Sequence, residues 1–331
     1  MAKNKGDKGR QESDRELRRL EKKLEKEYTE ALSDLQEKAN SYFEKFSVED
    51  KMMKEKWTAG DITETEYKEW RRSKMLTGER YDQMVDSLAT DLTNRNKIAA
   101  AMINKSLPEA YAINSNWSAY EISRELGRDV AFDLVDHKTV ERLMKENPKL
   151  LPSKAGVKIA KDKRWNQQKI RSALTQGILS GESNQNIAKR LQTVTDMSAS
   201  ASIRNARTMT TAAENAGRMD RYEEAKEMGI KMKKTWVATL DDRTRDAHAL
   251  LDGQTVDVDE PFDSILGPIM YPGDPDADPE NVYNCRCTMI TQIAGYERDI
   301  SNRVLGESLG NISYEEWKEQ AAERIREKGE K

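Results

Sequence analysis

Met228-Gly229-Ile230-Lys231-Met232-Lys233-Lys234-Thr235-Trp236-Val237-Ala238-Thr239-Leu240 is where the chain changes character. Before Gly229 the apolar residues recur at helical spacing. From Met232 onward they alternate, with Trp236, Ala238 and Leu240 on one side, the pattern of a half-buried strand. Gly229 suits a helix stop, because glycine enters the left-handed conformation without steric cost. The change of period predicts a mainly α chain. Its extended helical N-terminal body gives way, at about residue 230, to a small α+β C-terminal module followed by a C-terminal helix.

Backward from Gly229, residues 160–229 read as helix, interrupted at Gly181-Glu182-Ser183 and at Thr195-Asp196-Met197-Ser198. Lys138 to Leu150 reads as a short helix ended by Pro148 and Pro152. Tyr81 to Ser106 carries Met84, Val85, Leu88, Leu92, Ile98 and Met102 on one face. Trp117, Tyr120 and Ile122 fall in a more irregular stretch and read as core residues. A second helical stretch, read as carrying Trp57, Tyr67, Trp70 and Met75, follows a turn at Thr58-Ala59-Gly60-Asp61. The first helix is expected to start at a Ser13/Glu16 capping box. Its stripe, Leu17, Leu20, Leu24, Tyr28, Ala31, Leu35, Ala39, Tyr42 and Phe46, covers 29 residues in eight steps. That is about 3.6 residues per step, the period of a straight helix packed on one side rather than a long coiled coil.

Forward from Leu240, Asp242 is placed to cap a short helix holding His248, Leu250 and Leu251, with Gly253 as its stop. Gln254 to Val258 and Cys287 to Ala294 read as strands. Between them, five of the eight prolines (Pro261, Pro268, Pro272, Pro275 and Pro279) mark a long ordered loop. Ser313 and Glu316 form a second capping box, opening a helix with Trp317, Ala321 and Ile325. The expected organisation is therefore a disordered tail over 1–12, a helical body over 13–229, the α+β module over 230–296 and the C-terminal helix within 297–331.

Composition sets outer bounds. The 331 residues are 35% charged and 36% apolar, against about 25% charged in an average globular chain. Much of the helical surface must therefore be solvated. No apolar run of about 20 residues exists and the start leads into charges, so neither a membrane span nor a secretory signal is expected. Cys285 and Cys287, the only cysteines, are too close in sequence for an unstrained bridge to each other, which points to a reducing compartment. The net charge of −3 hides an asymmetry. Residues 154–207 hold eleven Lys/Arg against three acids, whereas residues 240–284 hold twelve acids against Arg243 and Arg245. The basic stretch suits phosphate contact, or neutralisation by the acidic one.

The chemistry-bearing residues lie between Trp236 and Cys287. His248 with Cys285 and Cys287 supplies three ligands of the kind a tetrahedral zinc site uses, and Asp241, Asp242 or Asp246 could provide a fourth. The same residues also read as a packed histidine beside two small buried thiols. Asp274-Pro275-Asp276-Ala277-Asp278-Pro279-Glu280 has alternating acids but Pro279 at the sixth place and Cys285 at the twelfth. It therefore reads as a stiff acidic loop rather than a calcium loop.

In order, Trp236, Ala238, Asp242, Arg243, Thr244, Arg245, His248, Asp252 and Gly253, then Pro272-Gly273-Asp274, then Asn284, Cys285, Arg286 and Cys287, resemble the C-terminal module of phage Mu F-like head-morphogenesis proteins. Asp241 and Asp242 compete for the first aspartate of that pattern. The resemblance implies a non-enzymatic minor capsid component of a tailed bacteriophage, made in the bacterial host cytoplasm and carried in the virion, inside the head near the portal. Its implied partner is the portal protein during procapsid assembly. Scaffold or major capsid protein and packaged double-stranded DNA are further candidates, with a part in DNA exit; no membrane partner is implied. The competing reading of the residues is a zinc-dependent hydrolase or nuclease, with His248, Cys285 and Cys287 on the metal and a carboxylate such as Asp241 activating water.

Overall fold

Helix α1 (Lys8–Glu44) opens the described chain, and Asp7 accepts the backbone N–H of Arg10 at 2.9 Å across its first turn. The structure is a computed structural model that describes residues 7–127, 130, 132–146, 155–293 and 313–329. After α1 come α2 (Ser47–Ala59), α3 (Glu64–Met75), α4 (Glu79–Glu125), α5 (His137–Glu146), α6 (Ile159–Leu179), α7 (Asn184–Lys189) and α8 (Leu191–Glu227). The chain then forms β1 (Met232–Val237), α9 (Asp246–Leu250), β2 (Thr255–Asp257), α10 (Pro279–Val282), β3 (Thr288–Ile293) and α11 (Tyr314–Gly329). The fold is mainly α, with a small three-stranded sheet and a helix at the C-terminal end.

The chain divides into two compact units, one of Glu21–Met102 with Ala155–Ile203, the other of Met1–Leu20 with Ile103–Lys154 and Arg204–Lys331. In the first, the α1 stripe is buried as its period requires at Leu24, Tyr28, Ala31, Leu35, Ala39 and Tyr42, and so are Leu88 and Leu92 of α4 and Ile170, Leu174 and Ile178 of α6. Burial of apolar area at about 25 cal/mol per Å² is what holds such helices together. Some buried polar groups pair across the helices of this unit. The Tyr28 hydroxyl donates to Asn96 Oδ1 at 2.8 Å, and Arg71, with no exposed side-chain surface, donates to the Glu182 carbonyl at 2.9 Å and lies 3.4 Å from Asp50.

In the second unit, Trp117, Tyr120, Met219, Tyr222, Met232, Met289, Tyr314 and Trp317 form a core joining α4, α8, the sheet and α11. Strand β1 is central in the order β2-β1-β3, both pairings antiparallel. It matches Met232 to Ile293 and Val237 to Thr288 on one edge, and Thr235 to Thr255 on the other. Met232, Lys234 and Trp236 face inward. The Lys234 ammonium donates to the Met270 carbonyl at 2.8 Å and sits over the Phe262 ring; burial lowers its pKa to about 8. Arg218 of α8 is wholly buried and meets both carboxylate oxygens of Asp7 at 2.7 and 2.9 Å.

Several local expectations change. The first helix starts at Lys8, not Ser13. Ser13 lies inside α1, its hydroxyl accepting from Asn114 Nδ2 at 2.6 Å, so residues 8–12 are helical. Helix α4 runs through Pro108 to Glu125, placing Trp117, Tyr120 and Ile122 on a helix rather than in irregular chain. Proline removes one donor from the ladder, and the buried flank from Ile103 to Ile122 outweighs that loss. The break expected at 195–198 is absent, α8 starting already at Leu191, while Ser183 caps α7 at the other break as read. Strand β1 ends at Val237, which leaves Leu240 exposed. Asp242 does not cap α9; Arg245 stands at that position without a side-chain cap. The Ser313/Glu316 capping box forms, with bonds of 2.6 and 3.2 Å, and buries Trp317 and Ala321. Pro148, Pro152, Ala294 and the side chain of Ile325 lie outside the described residues.

Candidate functional site

The stretch after β1 turns sharply because its side chains replace backbone partners. The Thr244 N–H donates to the Asp241 carbonyl at 2.9 Å and its hydroxyl donates to the Thr239 carbonyl, while Asp241 Oδ1 accepts the N–H of Arg243 at 3.0 Å. The turn delivers the chain into α9, which buries His248. Asp252 Oδ1 accepts the Ala238 N–H at 2.8 Å, and Gly253, at φ +79°, donates to the Trp236 carbonyl at 2.9 Å. An L side chain rarely adopts that φ, so glycine here is a backbone requirement.

The second half of the motif arrives from the proline-rich loop. Phe262 and Ile269 pair across it as an isolated bridge, and Asp274 accepts the N–H groups of Met270 and Asp276 at 3.0 and 2.9 Å. Gly273, at φ +87°, lies so close to α8 that a Cβ there would stand 2.8 Å from Ala212 Cα. Two acids of this loop therefore serve as backbone acceptors, Asp274 in its turn and Asp278 as the cap of α10. Asn284 takes φ +59°, and its N–H donates to the Thr208 hydroxyl at 3.0 Å, which aims Cys285 inward.

The two halves then lock. Arg286 grips Asp241 with two bonds of 2.6 Å, the planar fork matched to a carboxylate. That guanidinium holds the Asp241 carboxyl well below the usual range. Arg286's carbonyl accepts from the Thr239 hydroxyl and from Arg10 of α1, each at 2.6 Å, and Arg245 donates to the Tyr283 carbonyl. Below this clamp, His248 Nδ1 stands 3.6 Å from Cys285 Sγ and 3.5 Å from Cys287 Sγ, and all three residues are buried. The Cys287 N–H donates to Cys285 Sγ at 3.4 Å, and Asn215 Nδ2 of α8 donates to the Cys287 carbonyl at 3.3 Å. The shared hydrogen bond between the sulfurs, with His248 beside them, lowers the Cys287 pKa, while the Cys285 thiol is pushed up by that same contact and by burial. Trp236 packs edge-on against both His248 and Phe262.

Trp236, Thr244, Arg245, His248, Asp252, Gly253, Asn284, Cys285, Arg286 and Cys287 thus meet in one knob. Asp242 and Arg243 are exposed at its turn. Of the two competing aspartates, Asp241 makes the internal bonds. Its engagement by Arg286 also takes it away from the imidazole, where the hydrolytic reading needs a carboxylate. Among the described residues no fourth His, Cys, Asp or Glu joins the triad. Sequence reading missed Arg10 and Asp7, assigned to a disordered tail, and Asn215 and Arg218. The signal for the last two was present: large polar residues punctuating the small-residue run from Ala201 to Met228.

Residues 168–290 match the sequence profile of the family described as Phage Mu protein F like protein. The match reaches from within α6 to β3, well N-terminal of the knob. Over 310 residues the chain is 28% identical to Minor head protein GP7 of Bacillus phage SPP1, covering 92% of this chain and 93% of that one. Over 216 residues it is 31% identical to the NAD(+)--arginine ADP-ribosyltransferase EFV of Enterococcus faecalis, 64% of this chain but only 42% of that protein. An uncharacterized protein of Haemophilus influenzae is 29% identical over 134 residues, 27% of its length. No solved structure matches the chain.

Proposed function

From a phage Mu F-like module at residues 168–290, we propose that this protein is a minor head component that joins the portal during procapsid assembly and is enclosed near it, beside packaged DNA. The head-morphogenesis role comes first. One observation carries it: the likeness to a minor head protein extends over 92% of this chain and 93% of the relative, so it covers the helices as well as the knob. The role is structural. The ADP-ribosyltransferase named above is matched over less than half its length, and that activity is said of that protein alone.

Two features support the finer reading. The Asp241–Arg286 clamp and the buried triad make the knob stiff, as a docking piece must be if association is not to lose affinity to ordering. Helix α6 leaves Lys158, at its cap, and Lys161, Arg164 and Lys169 exposed, which suits sequence-blind contact with phosphates.

Co-expression with the portal of the same phage, followed by size-exclusion chromatography, tests the partner. The protein is expected to elute with the portal ring, and separate elution would overturn portal association. In the same preparation, duplex DNA binding should weaken with salt. Replacing the four basic residues by Gln should lower the salt slope by about 0.9 for each phosphate that is no longer neutralised; an unchanged slope removes α6 as a DNA surface.

A further inference from the structure

We propose that His248 Nδ1, Cys285 Sγ and Cys287 Sγ hold a structural zinc ion that staples the turn after β1 to the segment entering β3. The argument is geometric. In a tetrahedral zinc site, with Zn–N about 2.05 Å and Zn–S about 2.3 Å, the nitrogen and each sulfur stand about 3.6 Å apart. The imidazole nitrogen stands 3.6 and 3.5 Å from the two sulfurs here, matching both nitrogen–sulfur edges of that tetrahedron, and all three atoms lie within 4.8 Å of one another. A thiol–imidazole hydrogen bond has a similar length, but a ring nitrogen has one hydrogen-bonding site and here it faces both sulfurs.

Charge and chemistry agree with the geometry. Two thiolates and one divalent cation sum to zero, so the occupied centre adds no net charge to a site where all three side chains are buried. Thiolate and imidazole donors together suit zinc rather than calcium or magnesium, which take oxygen. The Cys287 N–H donating to Cys285 Sγ at 3.4 Å is the outer hydrogen bond that a metal-bound thiolate accepts.

The need for a staple is visible in the packing. The core around the triad consists of Trp236, Leu251, Phe262, Ile269 and the two cysteines, with Ala238, Val256 and Ala277 at its margin. The strands and helices between β1 and β3 are three to five residues long. Apolar clusters this small are commonly supplemented by a metal or a disulfide, and two free thiols within reach of one ring nitrogen suit the former. The fourth corner falls to a donor beyond the described His, Cys, Asp and Glu side chains.

The test uses the full chain, purified under reducing conditions after exposure to zinc and then freed of loose metal. Elemental analysis should find about one zinc per chain, and His248→Gln, Cys285→Ser and Cys287→Ser should each lower the content at least about tenfold. Cobalt(II) in the unsubstituted protein should give thiolate-to-metal charge-transfer absorption and the intense visible bands of a tetrahedral centre, a readout that does not depend on the variants folding. Zinc far below one per chain together with a cobalt spectrum lacking thiolate bands would overturn the proposal. Either result leaves the portal reading standing, because that rests on the comparison with head proteins.

Discussion

Arg286 illustrates how much one side chain organises when its neighbours are short of regular structure. Its guanidinium closes the knob on Asp241, and its carbonyl collects donors from Thr239 and Arg10. Because Arg286 depresses the folded-state pKa of Asp241, the pair adds stability that is fully present above the ordinary aspartate pKa of about 4. The contribution is lost as pH falls through the folded value. Asp241→Asn is therefore expected to melt below the parent protein at pH 7, with the gap narrowing as the solution is acidified below about pH 4. Thermal melts across that range check this, and a gap independent of pH would show that the carboxylate charge is not what Arg286 uses.

Among the elements, α4 and α8 show packing overriding local propensity. Pro108 interrupts the hydrogen-bond ladder of α4 without ending it, because Leu107 and the run from Ala110 to Tyr120 are buried. Their approach is set by Gly217, where a Cβ would lie 2.4 Å from the Tyr111 carbonyl oxygen. Alanine is the better helix former by about 1 kcal/mol, yet overpacking against backbone costs about 1–3 kcal/mol. Gly217→Ala should therefore destabilise by up to about 2 kcal/mol in denaturant titration. A stabilised variant would mean that the two helices can separate freely.

For the molecule as a whole, the N-terminal residues are structural in a way their composition conceals. Asp7 neutralises the buried Arg218, Gly9 lies against Trp117 with no room for a Cβ, and Arg10 reaches the knob. Deleting residues 1–12 leaves Arg218 buried without its carboxylate, a loss of about 3–5 kcal/mol. The truncated protein should melt markedly lower and be cut by protease within residues 204–293. A digestion pattern matching that of the full chain would show that the Asp7–Arg218 pair contributes nothing.

Local chemistry determined most of the elements in advance. The 3.6-residue stripe of α1, the stop at Gly229, the alternation from Met232 and the Ser313/Glu316 cap each depend on residues a few positions apart, so one chain carries their evidence unaided. The motif residues were legible as a set for the same reason, although their roles were not. Tertiary structure alone decided that Asp241 rather than Asp242 faces Arg286, that Lys234 lies inside, and that the first helix begins at Lys8. It also decided that α4 continues past Pro108 and that the imidazole nitrogen stands within 3.6 Å of two sulfurs nearly forty residues away. Each of these is settled by a partner distant in sequence, and neither periodicity nor capping chemistry carries information over that separation.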